Sequence, residues 1–390
     1  MAPPTPRPVR VFLSAGDVSG DQHGAALARE LRARAPGIEL LGMGGPAMEA
    51  AGCRLACRLT DHAVLGFSRV LKALPTFMGL LERAAVCLDA ERPDACVLID
   101  FPGFNLNLAA LAHRRGIPVI YYICPQLWAW ASWRLRRFAR RVDLALVIFP
   151  FEEEFFRDHG VAATWVGHPA ADAIAAAGTA VRTPHERSGL CLLPGSRTQE
   201  VAANLPLMLE VAARLRAGQP DLEVACAHLD ERMRLLVAEL SRQGPLDPPL
   251  RILADYHAAI RGARLALVAS GTATLEVALL GTPMVVVYRI GRWLRWASRH
   301  LLTVPHIAQV NLVAGRRIVP EFLTSGRDIP AIAEAAANLF TESSARRECL
   351  EALAALEQRV GAPGAAGKAA AAILERLQAG SKITLRETSP

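Results

Sequence analysis

Short apolar runs rich in β-branched residues alternate with longer Ala-, Leu- and Arg-rich stretches, and this alternation constrains the fold more than any other feature of the chain. Residues 10–13, 39–42, 95–99, 119–123, 144–148 and 164–166 form one series of strand candidates, and 190–193, 223–227, 264–269 and 284–288 form a second. The runs are continuously apolar rather than alternating. That is the pattern of parallel strands buried on both faces, with helical stretches between them long enough to serve as βαβ crossovers. Two such series predict an α/β chain of two doubly wound, Rossmann-like domains. The 390 residues exceed what one ordinary core accommodates, which points the same way. Strand pattern is lost over residues 170–188, where Gly178 and Pro184 break the chain. The expected domains are therefore 1–180 and 181–365, followed by a C-terminal helix and tail at 366–390. The segment GAPGAAGKAAAA reads as a flexible joint before a last helix at 370–378.

Hydrophobic residues make up 52% of the chain and the mean hydropathy is +0.23, so a membrane span has to be tested for. The longest uncharged runs, 117–133 and 277–288, are broken by Pro118 and Pro125 and by Gly281 and Pro283. Both are shorter than the roughly 20 apolar residues of a spanning helix, so none is expected. The first residues, MAPPTPRPVR, lack an apolar h-region, and no secretory signal is expected. A net charge of +7 leaves two partners open, nucleic acid or an anionic membrane surface. Most of the eight cysteines sit in apolar stretches, and Cys53 and Cys57 have no second pair at zinc-finger spacing. Reduced thiols in a cytosolic protein, with no metal site, are the expectation.

Several loops carry chemistry. SAGDVSGDQHGA follows the first strand and opens a helix, crowding Asp17, Ser19 and Asp21 at a strand's carboxyl end, where open α/β sheets bind ligands. It is no dinucleotide fingerprint. It reads as a sugar-binding loop or as a capped helix start. GMGGPAM places Gly44 and Gly45 where backbone can approach a ligand or a neighbouring loop closely. In LIDFPGFN, Asp100 ends a buried strand, a position suited to a general base or to a structural acid.

The segment CPQLWAWASWRLRRFARR interleaves Trp128, Trp130 and Trp133 with Arg134, Arg136, Arg137, Arg140 and Arg141. It suits stacked bases, a lipid phosphate or a solvated helix face. In the second half, Arg197 of LLPGSRTQEV offers a planar fork to diphosphate oxygens. Ser270, Gly271 and Thr272 open another helix whose first N–H groups favour phosphate, and Glu276, one turn on, is placed for ribose hydroxyls. His23 and His168 stand at strand ends as ligand contacts or structural residues.

Taken in order, SAGDVSGDQHGA, GMGGPAM, IDFPGFN, PQLWAW, FPFEEEFF, VGHP, LPGSRTQEV, SGTATLE, PMVVVYR and NLVAGRRIVPE resemble the lipid A disaccharide synthases, the inverting glycosyltransferases of family 19. The resemblance covers about 310 residues and thins after Glu321. It implies the GT-B fold, with two Rossmann-like domains facing a cleft. It further implies transfer of 2,3-diacylglucosamine from UDP-2,3-diacylglucosamine to the 6-hydroxyl of 2,3-diacylglucosamine 1-phosphate, with inversion and release of UDP. No cofactor or metal is implied.

On this resemblance Asp100 is the expected base, with Asp17 and Asp21 as runners-up or as holders of sugar hydroxyls alongside Ser19 and Gly45. Arg197, Ser270, Gly271, Thr272 and Glu276 would hold UDP, with Asn311 and Glu321 near them. The family commonly has Glu at the position of Asp17, and Pro at that of Val310 before Asn311. A lipid substrate further implies peripheral association with the cytoplasmic face of the inner membrane. The apolar stretches 67–81 and 292–302, edged by basic residues, would make that contact. A homodimer is compatible with the resemblance, and a nucleic-acid partner is not expected. The competing readings are a UDP-N-acetylglucosamine epimerase or muramyl-type transferase of similar architecture, and a non-catalytic binder of membrane surfaces.

Overall fold

The computed structural model describes residues 7–61, 70–130, 134–178, 187–227, 231–290 and 306–386, with side chains for all of these except 70–74, 129–130, 358 and 380–386. Trp133, the side chain of Trp130, the first part of the 67–81 stretch and all of 292–302 lie outside the described residues.

The chain divides into two compact units, Met1–Pro169 with Pro363–Pro390, and Ala170–Ala362. In the first unit, β1 (Arg10–Ala15), β2 (Glu39–Gly44), β3 (Arg54–Arg58), β4 (Ala95–Ile99), β5 (Val119–Tyr122), β6 (Leu144–Val147) and β7 (Ala163–Trp165) form one parallel sheet in the order β3-β2-β1-β4-β5-β6-β7. In the second, β8 (Leu190–Leu193), β9 (Val224–Ala227), β10 (Arg251–Leu253), β11 (Leu265–Val268), β12 (Met284–Arg289) and β13 (Glu321–Thr324) are also all parallel, ordered β10-β9-β8-β11-β12-β13. In both, the fourth strand returns to the free side of the unit's first strand, so the order reverses beside that first strand. That reversal is the switch point at which a doubly wound sheet opens a crevice beyond its strand ends. Register makes the neighbouring strands end level there, with Ala15 opposite Ile99 and Val268 opposite Leu193.

The apolar runs explain the interior. Residues of β4, β5 and β6 are buried on both faces, and Phe12, Leu98, Phe104, Tyr121, Phe138 and Phe156 pack one side of the first sheet. Three observed strands were not among the sequence candidates: β3, β10 and β13. All three are sheet edges, and each is partly exposed along its length. An edge strand has a neighbour on one side only and keeps polar residues, so a search for continuous apolar runs passes over it.

The C-terminal segment also differs from expectation. Instead of a joint and a short helix, one helix runs Ala365–Arg386 and packs on the Val18–Arg34 helix of the first unit. Ala365, Ala366, Ala369, Ala370 and Ile373 are buried, so the alanine-rich stretch is a close-packing face. Lys368 lies over the Trp165 ring, and Arg376 approaches Asp143 at 4.0 Å. No described helix is long and apolar enough to cross a membrane.

Candidate active site

In the first unit, the loops after β1 and β4 meet at the switch point. Gly16 lies against the Phe101 ring, where a Cβ would come within 2.0 Å of the ring carbon Cδ1. The helix start is capped, though by Asp17 and not by the expected Ser19 or Asp21: Asp17 Oδ1 accepts the Gly20 N–H at 2.7 Å ahead of the Val18–Arg34 helix. Ser19 is exposed, with Oγ 3.1 Å from His23 Nε2.

Asp100 and Phe101 both adopt left-handed backbone, with φ of 45° and 48°, and Ile123 at the end of β5 does so at 60°. Non-glycine residues in that region cost about 1–3 kcal/mol each and persist only where surrounding contacts hold them. Here the contacts are specific. The Asp100 carbonyl accepts the Tyr121 hydroxyl at 2.7 Å and Asn105 Nδ2 at 2.8 Å, while its N–H donates to the Tyr122 carbonyl. Asn105, fully buried, also donates to the Ile99 carbonyl and accepts the Ser14 hydroxyl at 2.7 Å, joining β1 to β4. Burial foremost, then the Asp100 charge, raises the Tyr121 phenol well above its usual range, so it remains a donor. The turn thus fixes the backbone that carries the Asp100 carboxylate, which is only partly buried. Asn105 and Tyr121 were not singled out from sequence. The asparagine inside IDFPGFN was the available signal.

Asp21 takes a different role from the one expected. It is buried, and its two oxygens accept three backbone N–H groups: Gly45 at 2.8 Å, Ala47 at 2.9 Å and Met48 at 3.0 Å. A carboxylate so bound anchors the GMGGPAM loop and is not available as a base or a sugar contact. Gly45 serves the same anchor, because a Cβ there would sit 2.5 Å from Asp21 Oδ2.

Farther along the strand ends, two motifs, PQLWAW and FPFEEEFF, meet at a residue that sequence reasoning did not single out. Glu152 of FPFEEEFF is fully buried and accepts Trp128 Nε1–H at 3.0 Å and the Ile148 and Phe149 N–H groups at 3.2 and 3.1 Å. Burial outweighs these donors and pushes its carboxyl up to about 7. Trp128 meets Phe151 edge-on, Phe151 stacks on Phe149, and Phe149 stacks on His168. Burial lowers His168 to about 3, with a smaller push from His23, so the ring is neutral. The tryptophan motif therefore turns at least one ring inward, while Arg136 and Arg137 on the next helix are exposed.

In the second unit, Gly195 turns the chain at φ 128°, tight against Glu200. Glu200 Oε2 accepts the Ser196 and Arg197 N–H groups. Arg197 then leads into the long Thr198–Gly218 helix with its side chain 72% exposed and loosely paired to Glu200 at 3.5 Å. The loop after β11 stands beside it at the switch point. Ser270 donates to the Ile307 carbonyl at 3.1 Å, Gly271 is extended, and Thr272 is exposed just before the Ala273–Leu279 helix. Glu276, one turn on, lies 3.7 Å from His257.

Glu321 comes close to this loop by holding its neighbour. It accepts the Ile307 and Ala308 N–H groups at 3.1 and 2.8 Å and bonds His306 Nδ1 at 3.2 Å. Asn311 departs from expectation. It is fully buried, donating to the Val319 carbonyl and accepting the Ile318 and Val319 N–H groups. With donor and acceptor both used by a loop eight residues away, it clasps the chain ahead of β13 and does not reach a nucleotide. Among the described residues, no three His, Cys, Asp or Glu side chains gather as a metal site.

Residues 11–363 match the family described as lipid-A-disaccharide synthetase. The lipid-A-disaccharide synthase of Acidobacterium capsulatum is 37% identical over 393 residues, covering 96% of this chain and 98% of that one. That of Myxococcus xanthus is 38% identical over 382 residues, with coverages of 96% and 99%. Among solved structures, the S. aureus MnaA–UDP complex matches with a TM-score of 0.65 at 12% identity, covering 92% of this chain and 94% of that one, which speaks to the fold alone. The chain therefore belongs to the lipid-A-disaccharide synthetase family, glycosyltransferases of the GT-B fold.

Proposed function

We propose that the protein transfers 2,3-diacylglucosamine from UDP-2,3-diacylglucosamine to the 6-hydroxyl of 2,3-diacylglucosamine 1-phosphate, giving the β-1,6-linked disaccharide 1-phosphate and UDP. The observation that carries this is the family match, which runs through both switch points rather than through one unit.

In this reading the acceptor hydroxyl attacks the anomeric carbon as the bond to the UDP oxygen breaks, so configuration inverts in one step. Asp100 takes the hydroxyl proton. Its support is the left-handed turn, which three hydrogen bonds hold in place at the end of β4. Asp17 and Ser19 border the same strand ends and suit the hydroxyls of a sugar. Charge developing on the departing UDP is met by the exposed Arg197 guanidinium and by the backbone after β11 at Ser270, Gly271 and Thr272, while Glu276 accepts from the ribose. Glu321 acts at one remove, shaping the 306–308 backbone to which Ser270 is bonded.

Peripheral attachment to the cytoplasmic face of the inner membrane belongs to the same proposal. It is supported by the exposed Met78 and Val86 on the Val70–Glu91 helix and by the exposed Arg136 and Arg137. The experiment is acceptor-dependent release of UDP by the purified protein from the two lipid substrates, with the disaccharide identified by mass. No release, or release without disaccharide, sinks the proposal.

A further inference from the structure

The Tyr256–Gly262 helix follows edge strand β10 and is capped by Asp255, whose Oδ1 accepts the Ala258 N–H at 2.8 Å. Its first two residues, Tyr256 and His257, do not figure in the motifs above, yet both face Glu276. His257 Nε2 stands 3.7 Å from Glu276 Oε2, and each of the two side chains is only 20% exposed. That nitrogen is buried and has no hydrogen-bond partner, an arrangement that folded proteins rarely tolerate without a use. The Tyr256 ring meets the His257 ring edge-on at 5.4 Å. Burial and, after it, the Glu276 carboxylate raise the Tyr256 phenol well above its usual range, so it presents a hydroxyl donor to that carboxylate.

A carboxylate meant to accept from two adjacent hydroxyls of a ribose must hold one rotamer. On its own short helix, Glu276 has three staggered or broad torsions to settle. The Tyr256 hydroxyl and the His257 ring, arriving from a separate element, crowd the carboxylate and restrict it. We infer that Tyr256 and His257 are positioning residues that hold Glu276 for the sugar of a nucleoside diphosphate, and so set the preference of the second unit for ribose over deoxyribose. This rests on the reading of Glu276 as the ribose contact.

The test is calorimetric binding of UDP and of 2′-deoxy-UDP to wild-type protein, Glu276→Gln, Tyr256→Phe and His257→Gln, with thermal melting to confirm that each is folded. Wild type should bind UDP about tenfold more tightly than 2′-deoxy-UDP, the loss of one hydrogen bond to a charged group. Glu276→Gln should bring the ratio close to one. Tyr256→Phe, which removes a single oxygen, and His257→Gln should each cut the ratio by about threefold or more while leaving 2′-deoxy-UDP affinity within about twofold. If the two variants weaken both ligands equally and keep the wild-type ratio, their role is structural and the inference fails, while Glu276 stands. A wild-type ratio near one removes Glu276 from the ribose and the inference with it. Disaccharide formation is scored separately and is not decided by either result.

Discussion

Around β1 and β4 in the first unit, and around β8 and β11 in the second, the strands run in the same order and end level, yet the side chains there have opposite characters. In the first unit the strand ends are acidic, apolar and internally bonded. Phe101 covers Gly16, Asn105 joins two strands, Asp21 is consumed by three N–H groups, and the backbone at Asp100 is held in a strained turn. In the second unit Arg197 reaches into solvent and Thr272 is exposed at a helix start. One topology therefore supplies two different kinds of site. Taking up a proton needs a base whose position is fixed by its surroundings, whereas a diphosphate suits a cation and backbone N–H groups that remain accessible.

The most severe way to break this comparison is Asp100→Asn. Turnover should fall roughly a hundred- to ten-thousand-fold, as for loss of a general base, while UDP affinity, which the proposal assigns to the second unit, is unchanged. Disaccharide formation and UDP calorimetry on the same preparation read the two sides separately, and undiminished turnover removes Asp100 from the base role.

Glu152 probes how dry the first unit is. Its ordinary value of 4.5 is raised to about 7 by burial, so the protonated form favours the fold. That contribution is complete below the unfolded value and is lost as pH rises through about 7. Urea denaturation at about pH 5 and about pH 8 should show the stability of wild type relative to Glu152→Gln moving against the wild type by on the order of 3 kcal/mol over that interval. A constant difference would mean that Glu152 is ionised throughout.

Gly16→Ala forces a methyl group into the Phe101 ring and should cost about 1–3 kcal/mol by urea denaturation, with turnover falling because the Asp100 turn moves. If stability holds but turnover falls, the ring has shifted and the turn with it, which sharpens the case for the strained backbone.

The smallest effect is expected at Arg197. Because its side chain is exposed and its ion pair is worth little to the fold, Arg197→Ala should leave the urea midpoint in place and weaken UDP about tenfold. A large loss of stability there would contradict the open character of the second unit.

The contrast between the units also marks where sequence reading succeeds. Central strands such as Ala95–Ile99 and Leu190–Leu193 announce themselves because burial on both faces demands unbroken apolar runs. The strand-end loops were legible as well, since GDVSGD, IDFPG, PGSRT and SGTAT each follow such a run directly. Edge strands β3, β10 and β13 were not, because half-exposed strands share their composition with loops. Side-chain roles were the least legible. Asp17, Asp21 and Asp100 are three aspartates near strand ends, and Asn311 and Glu321 look alike as polar residues in a motif. Only their partners separate a helix cap, a loop anchor, a strained turn and two clasps.

What the chain determined by itself was local and periodic: which segments are buried, where they stop, and that two doubly wound units result, because hydrophobic burial acts on each segment through its own pattern. What only the tertiary structure decided was pairwise: that Asp21 and Asn311 are spent on backbone, that Glu152 is buried against Trp128, that the alanine-rich C-terminal helix returns to the first unit, and that Tyr256 and His257 flank Glu276. Hydrogen bonds and burial-driven protonation depend on groups brought together across as many as 91 residues of chain, and no periodicity in a sequence records which groups those are.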